Sequence, residues 1–438
     1  MRTNEGASLS ASLPRRGLLA GLAASAALLL MTGCGSGPGA APAARAASTT
    51  TVATATPVST ATATPVSTVS PAGPAGPATP GPAASSGTGQ RCAPGQIGPV
   101  GASFVSADDG YLLGITLKEC WADATSTLRL RKTTDGGLRW TSLTAPPAPW
   151  GGIAPSGPGR VPANGVTSLL FADARNGWAY GPGLWATHDG GASWHRIGTK
   201  DWAVQSMAAT DGRVVAVLES CDAYDADCAA PSFAVRTSPA ARDAWRQVPG
   251  AAGQGIPSVV AREGMAFLVV SATGDGSHAK RDTLLSGPAN GSARWTSRSI
   301  PCGRGANPVS ATTANRLVLS CAMLGAHPAA THLYASADAG RHWTKIATLG
   351  MYDGAGTVER TGAGTLLVAG IYNGVALSRD GGRTWTWPGA IDKSDNVGGG
   401  DAIEADLFTN DAGYVIVTCG SLWITRDAGR TWRPVTVR

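Results

Sequence analysis

One eight-residue phrase recurs five times between residues 133 and 432, and it limits the folding of this chain more tightly than any other feature. It reads TTDGGLRW at 133–140, THDGGASW at 187–194, SADAGRHW at 336–343, SRDGGRTW at 378–385 and TRDAGRTW at 425–432. Two degenerate copies fill the gap between them: TSPAARDAW ends at Trp245 and SGPANGSARW at Trp295. The seven closing tryptophans, at 140, 194, 245, 295, 343, 385 and 432, stand 54, 51, 50, 48, 42 and 47 residues apart. A fixed phrase repeated near every fiftieth residue marks a unit that cannot bury its apolar face alone and must stack on copies of itself.

The residues between the tryptophans say what each unit is. In the third, AVQSMAA (203–209) meets a turn at Thr210-Asp211-Gly212, followed by RVVAVLES (213–220), SFAVRTS (232–238) and WRQV. The first and seventh units read the same way, as VGASFVS, GYLLGITL, LRLRKTT, RWTSLT and as EADLFTN, AGYVIVTC, SLWITRD, TWRPVTV. Short β-branched runs separated by turn residues are strands. With 59 glycines, 29 prolines and only 15% charged residues, the composition excludes helix bundles and favours turns. Four strands per unit and seven units predict an all-β chain: a seven-bladed β-propeller of four-stranded antiparallel blades over 92–438. We name the strands of a blade a to d. Blades one and seven draw all their strands from their own ends of the chain, so ring closure is expected from side-chain packing or a disulfide.

The pattern Ser/Thr-x-Asp-x-Gly-x-x-Trp resembles the Asp-box of sialidases, sortilin-type receptors and photosystem II assembly factors. Its residues suit a structural task at the c–d turn. The carboxylates of Asp135, Asp189, Asp338, Asp380 and Asp427 can accept backbone N–H groups inside their own turns. Each glycine takes positive φ. The indoles of Trp140, Trp194, Trp343, Trp385 and Trp432 are expected to bury between blades, at a truncation cost of about 3–5 kcal/mol. His188, His195 and His342, in or beside these turns, take the same structural reading. The phrase FADARNGWAYG (171–181), echoed by FTNDAGYVIV (408–417), is similar to the blade signature of photosystem II stability and assembly factors. That resemblance implies binding and chaperoning of membrane-complex subunits outside the cytoplasm. Sialidases, by resemblance, would need six blades, an Arg-Ile-Pro motif, an arginine triad and a Tyr–Glu nucleophile. None of these is apparent here, and no tyrosine is tied to a glutamate by the strand order.

Ahead of the repeats, residues 1–33 read as a bacterial lipoprotein signal peptide. Arg15-Arg16 precede fifteen apolar residues, Gly17 to Met31, fewer than the roughly 20 a membrane-spanning helix needs. Thr32-Gly33-Cys34 resembles a lipobox, with Cys34 the lipidated residue, and Arg-Arg-Gly-Leu-Leu also resembles a twin-arginine signal. Residues 34–91 continue as a linker rich in Ala, Thr and Pro; its stretch 35–90 holds nine prolines, one base and no acid. Such a segment buries no core and reads as a disordered tether. The expected location is the bacterial cell membrane, lipid-anchored and facing outside the cytoplasm.

Because strands alternate direction, the a–b and c–d turns share one end of the ring and the longer b–c and d–a loops share the other. Function is expected at the loop-bearing end. Trp121, Trp150, Trp202, Tyr224 and Tyr352 fall in loops and are the candidate partner-binding residues. Cysteine positions offer three disulfide candidates, Cys221 with Cys228, Cys302 with Cys321 and Cys92 with Cys120, leaving Cys419 over. A Cys92–Cys419 pair across the ring seam is the alternative. The acidic loop with Asp222, Asp225 and Asp227 matches no calcium loop, and His278, His327 and His332 lie in separate loops, so no metal and no cofactor is expected. Glu359, Glu404 and Asp406 sit on inner strands of blades six and seven, and a solvated channel lining is the expected reading over a glycosidase pair. The formal charge of +6 is too thinly spread for nucleic acid. The expected function is an extracytoplasmic module binding a membrane or cell-surface protein, not an enzyme, with a glycan-binding protein or sialidase-like glycoside hydrolase as the alternative.

Overall fold

The computed structural model describes residues 97–117, 126–151, 164–200, 202–220, 231–272, 281–322, 330–350, 356–370, 374–388, 391, 402–417 and 421–437. The signal peptide, Cys34, the linker, Trp121, Tyr224, Tyr352, Cys92, Cys120, Cys221, Cys228 and Cys419 lie outside these residues. The chain divides into one unit spanning Gly35–Gln90 and one holding the remainder, to which every described residue belongs.

Seven antiparallel sheets follow one another along the described chain, each with its strands in sequence order. Six have four strands; in blade six a bridge between Leu377 and Thr386 supplies the fourth. The inner a strands are Ile97–Phe104, Ser168–Phe171, Ala203–Thr210, Ile256–Arg262, Ser310–Ala311, Thr357–Arg360 and Ala402–Asp406. Successive inner strands meet from blade one to blade seven, and at the seam Ile97–Phe104 meets strands Gly413–Val417 and Ser421–Thr425 of blade seven. The fold is the seven-bladed β-propeller expected from the repeat.

There is no single core. Buried side chains form seven clusters, one per junction between successive blades. One closing tryptophan belongs to each: Trp194 packs between blades one and two, Trp245 between two and three, Trp295 between three and four. Trp343, Trp385 and Trp432 do the same for the next three junctions, and Trp140 packs between blades seven and one. The spacing of the tryptophans is therefore the spacing of the junctions. One expectation is corrected in degree: only Trp295 is buried, at 3% exposure, while the other six indoles are half-buried.

The phrase FADARNGWAYG has a steric explanation. Phe171 at the end of strand a lies over Gly177 at the start of strand b, where a Cβ would come within 2.5 Å of the ring. Phe104 and Gly110 repeat this at 2.4 Å. The phenylalanine so placed stacks on the previous blade: Phe171 on Tyr111, centroids 3.5 Å apart, and Phe104 on Phe408, 4.6 Å apart. Glycine clears the space, and the ring spends it on the junction.

Blades one and seven exchange no strand, as expected. The ring closes through the Phe104–Phe408 stack, the Tyr414 hydroxyl donating to Ala102 O at 2.9 Å, and Ile97 N donating to Val437 O at 3.3 Å. Arg426 adds an ion pair to Asp108.

Candidate functional site

The repeated phrase builds one turn five times. In blade one, Thr133 Oγ1 accepts Gly137 N at 2.8 Å and donates to Asp135 Oδ1 at 2.9 Å, while that carboxylate accepts Arg139 N at 2.9 Å. The same bonds recur around Asp189, Asp338, Asp380 and Asp427. The side chain before the tryptophan often closes the other oxygen, as Thr384 and Thr431 do at 2.6 Å. These hydrogen bonds favour the charged form, so all five carboxylates are held below their ordinary pKa. Backbone bonds tie c–d turns to a–b turns, as from Gly136 N to Asp108 O and from Gly190 N to Arg175 O, both 2.8 Å. Both turn types thus share one end of the ring, and the opposite strand ends, from which the longer connections leave, share the other.

In three blades the residue between Ser/Thr and Asp reaches out of its turn to the next blade. Arg379 donates to Gly429 O at 2.8 Å, and Arg426 to Ala107 O at 2.7 Å. In blade two this residue is His188, and its Nε2 lies 3.1 Å from Asp243 Oδ2 in blade three. His195 Nε2 reaches the same oxygen at 2.5 Å. The sequence had placed both histidines in turns; it gave no sign of Asp243, which stands two residues before Trp245 in a degenerate copy whose usual aspartate position is Ala240.

At the inner rim, Ala405 packs between blades six and seven, and the alternation of a strand turns Glu404 to the other side, where it meets Ala102 of blade one. Glu404 Oε1 accepts Ala102 N at 3.2 Å and the Tyr414 hydroxyl at 2.5 Å. Glu359 Oε2 accepts Ser310 Oγ at 2.9 Å. Each of these groups is half-buried. Desolvation pushes Glu404 up to about 7. Glu359 and Asp406 also move upward, chiefly by desolvation, with mutual repulsion adding to Glu359 and Arg262 opposing both. These carboxylates are partly exposed, as a channel lining would be, and burial makes them reluctant to ionise. A tyrosine is also tied to a glutamate after all. Tyr414 is buried and its hydroxyl is driven well above its ordinary pKa by burial and by Glu404, which is the reverse of nucleophile activation.

At the loop-bearing end, Trp150 and Trp202 lie in d–a connections. Trp150 forms a bridge with Val166 and packs on the junction of blades one and two; Trp202 packs on that of blades two and three. Both are half-buried, leaving part of each indole in solvent. Trp387, 44% exposed after strand d of blade six, was not singled out by sequence. Cys302 and Cys321 form a disulfide spanning 19 residues of blade five, as their placement suggested. His332 meets Thr348 at 3.2 Å, apart from any other histidine among the described residues.

The fold and these arrangements define a seven-bladed β-propeller. Compared with solved structures, the chain is similar to "YCF48 bound to D1 peptide", at 17% identity and a TM-score of 0.50 over 76% of this chain and 94% of that one. It is similar to YCF48 from Cyanidioschyzon merolae at 13% identity and a TM-score of 0.50, over 78% of this chain and 99% of that one. A GH74 enzyme of Niastella koreensis aligns at 13% identity with a TM-score of 0.38, over 78% of this chain and 66% of that one. No protein-family description and no curated protein matches the chain. At these identities the likeness is one of fold.

Proposed function

We propose that this chain is a protein-binding or assembly module, anchored outside the cytoplasm at a bacterial membrane through lipid on Cys34 and working through its loop-bearing end. One observation carries this reading: Trp150 and Trp202 are each seated on a rigid blade junction with part of the indole left in solvent. Rigid, amphipathic aromatics on a fixed scaffold bind at little entropic cost. That a YCF48 structure of the same fold holds a peptide supports a protein partner. The photosynthetic partner is not carried over. The second reading, a glycan-binding protein or glycoside hydrolase, draws on Glu359, Glu404 and Asp406 with their raised pKa values. Against it, Glu404 is engaged by Ala102 and Tyr414.

The test is crosslinking and co-purification of the intact lipoprotein from its own membranes, beside a Trp150→Ala/Trp202→Ala variant checked for an unchanged circular dichroism spectrum. The expected result is one or a few membrane proteins captured by the natural chain and lost in the variant. No specific capture sinks the module reading; equal capture by both chains sinks the assignment to these indoles. Hydrolysis of fluorogenic glycosides that is lost in Glu404→Gln or Asp406→Asn would replace it with the second reading.

A further inference from the structure

We propose that His188, His195 and Asp243 form a divalent transition-metal site of the zinc class, joining blades two and three at the turn-bearing end. His188 Nε2, His195 Nε2 and an Asp243 oxygen all lie within 4.8 Å of one another. Two imidazoles and one carboxylate are a donor set for borderline divalent cations.

The stronger argument is the direction in which His188 is held. Asn176 Nδ2 donates to both oxygens of Asp173, at 3.1 and 2.8 Å. Only that orientation places the amide nitrogen on the carboxylate, so Asn176 Oδ1 faces His188 Nδ1, at 2.8 Å. An acceptor there requires the imidazole proton on Nδ1. With Nδ1 holding its proton against Asn176, Nε2 is the ring atom turned to Asp243 Oδ2, 3.1 Å away. A divalent cation between these two atoms would be held by both in place of a shared proton, and the chain carboxylate–amide–imidazole is the kind of support that fixes metal-binding histidines. Asp243 is braced too: its other oxygen accepts the Trp245 indole N–H at 3.3 Å. Fully buried Trp178 stands edge-on to the His188 ring, with centroids 6.3 Å apart.

The distances need little adjustment. Metal–donor bonds of about 2.0–2.1 Å at tetrahedral angles set neighbouring donors about 3.3 Å apart. His188 and Asp243 are already at 3.1 Å. His195, at 2.5 Å, must withdraw by less than about 1 Å, and its side chain, 53% exposed, is free to do so. Asp243 keeps only 19% of its side chain in solvent although its backbone is open, so the carboxylate is aimed into the cluster. In blades six and seven an arginine makes the reach to the next blade and brings its own positive charge, as Arg379 and Arg426 do. Blade two has imidazoles in that place and a carboxylate facing them.

The experiment is equilibrium dialysis of the whole detergent-solubilised chain against Zn²⁺, with Co²⁺ as a spectroscopic probe. Expected is one tightly bound ion per chain and a tetrahedral cobalt d–d spectrum, both lost in His188→Ala and in Asp243→Asn and both kept in His342→Ala. Asn176→Ala should weaken binding about 10–100-fold, since it frees the ring without removing a ligand. A natural chain and a His188→Ala/His195→Ala variant with the same stoichiometry and cobalt spectrum would overturn the site, leaving a hydrogen-bonded imidazole–carboxylate cluster only. Circular dichroism of each variant separates loss of a ligand from loss of the fold.

Discussion

Ala339 and Ala428 carry a methyl group where the backbone is left-handed, at φ 59° and 56°, in the position that Gly136, Gly190 and Gly381 occupy in the sister turns. That conformation costs an L-residue about 1–2 kcal/mol, partly offset by the freedom glycine gains in the unfolded chain, about 0.4–1 kcal/mol. Ala339→Gly and Ala428→Gly should therefore each stabilise the protein by about 0.5–1 kcal/mol, readable as a higher urea midpoint with an unchanged slope. The turn aspartates give a second prediction at this scale. Asp338 and Asp380 are held below the ordinary carboxylate pKa by their own turns, so the stability they contribute is complete above about pH 4 and drains away as pH falls through their folded values. Asp380→Asn should unfold more readily at pH 7, and its difference from the natural chain should shrink steadily when urea titrations are repeated down to pH 3.

The elements between these turns depend on clearances. Gly110→Ala and Gly177→Ala would drive a methyl group into Phe104 or Phe171 and displace a ring that also stacks on the neighbouring blade. A cost of about 1–3 kcal/mol is expected for each, measured by thermal or urea unfolding, whereas Gly212→Ala meets open space and tests the positive-φ cost alone. Opening the Cys302–Cys321 bridge by double serine substitution should cost about 3 kcal/mol for a loop of this length. This scale also shows what a sequence can disclose. The turn phrase was legible because all its bonds fall within eight residues, and the blades were legible because the phrase recurs. Asp243 was not, since its partners sit in the preceding blade and the degenerate copy has moved its acid from the Ala240 position. The Tyr414–Glu404 bond needed the pairing of strands a and b in blade seven, where Glu404 faces Ile416 and Asp406 faces Tyr414. The tryptophans were placed correctly by junction and overestimated in burial, because a spacing reveals which seam a ring enters and not how deep.

Across the whole molecule two sets of carboxylates pull in opposite directions. The turn aspartates favour their charged form, while Glu404 at the inner rim prefers its proton and is raised to about 7. A raised folded pKa contributes stability that is fully present below the ordinary value near 4.3 and is lost as pH climbs through about 7. The ring should be most stable at mildly acidic pH. Glu404→Gln, which keeps an acceptor for Ala102 N and Tyr414, should flatten the alkaline decline and leave the variant more stable than the natural chain at pH 8, as pH-dependent melting would show. The closure of the ring has a mechanical side. Six of its seven junctions are crossed by the polypeptide itself; the seventh, between blades seven and one, is bridged only by side chains and a few hydrogen bonds. The described chain enters at Ile97 beside that junction and ends at Val437 against it. A pull on Ile97 would therefore act on the one joint that the polypeptide does not cross. Among the described residues the propeller is a split ring, and both ends of its described chain meet at the split.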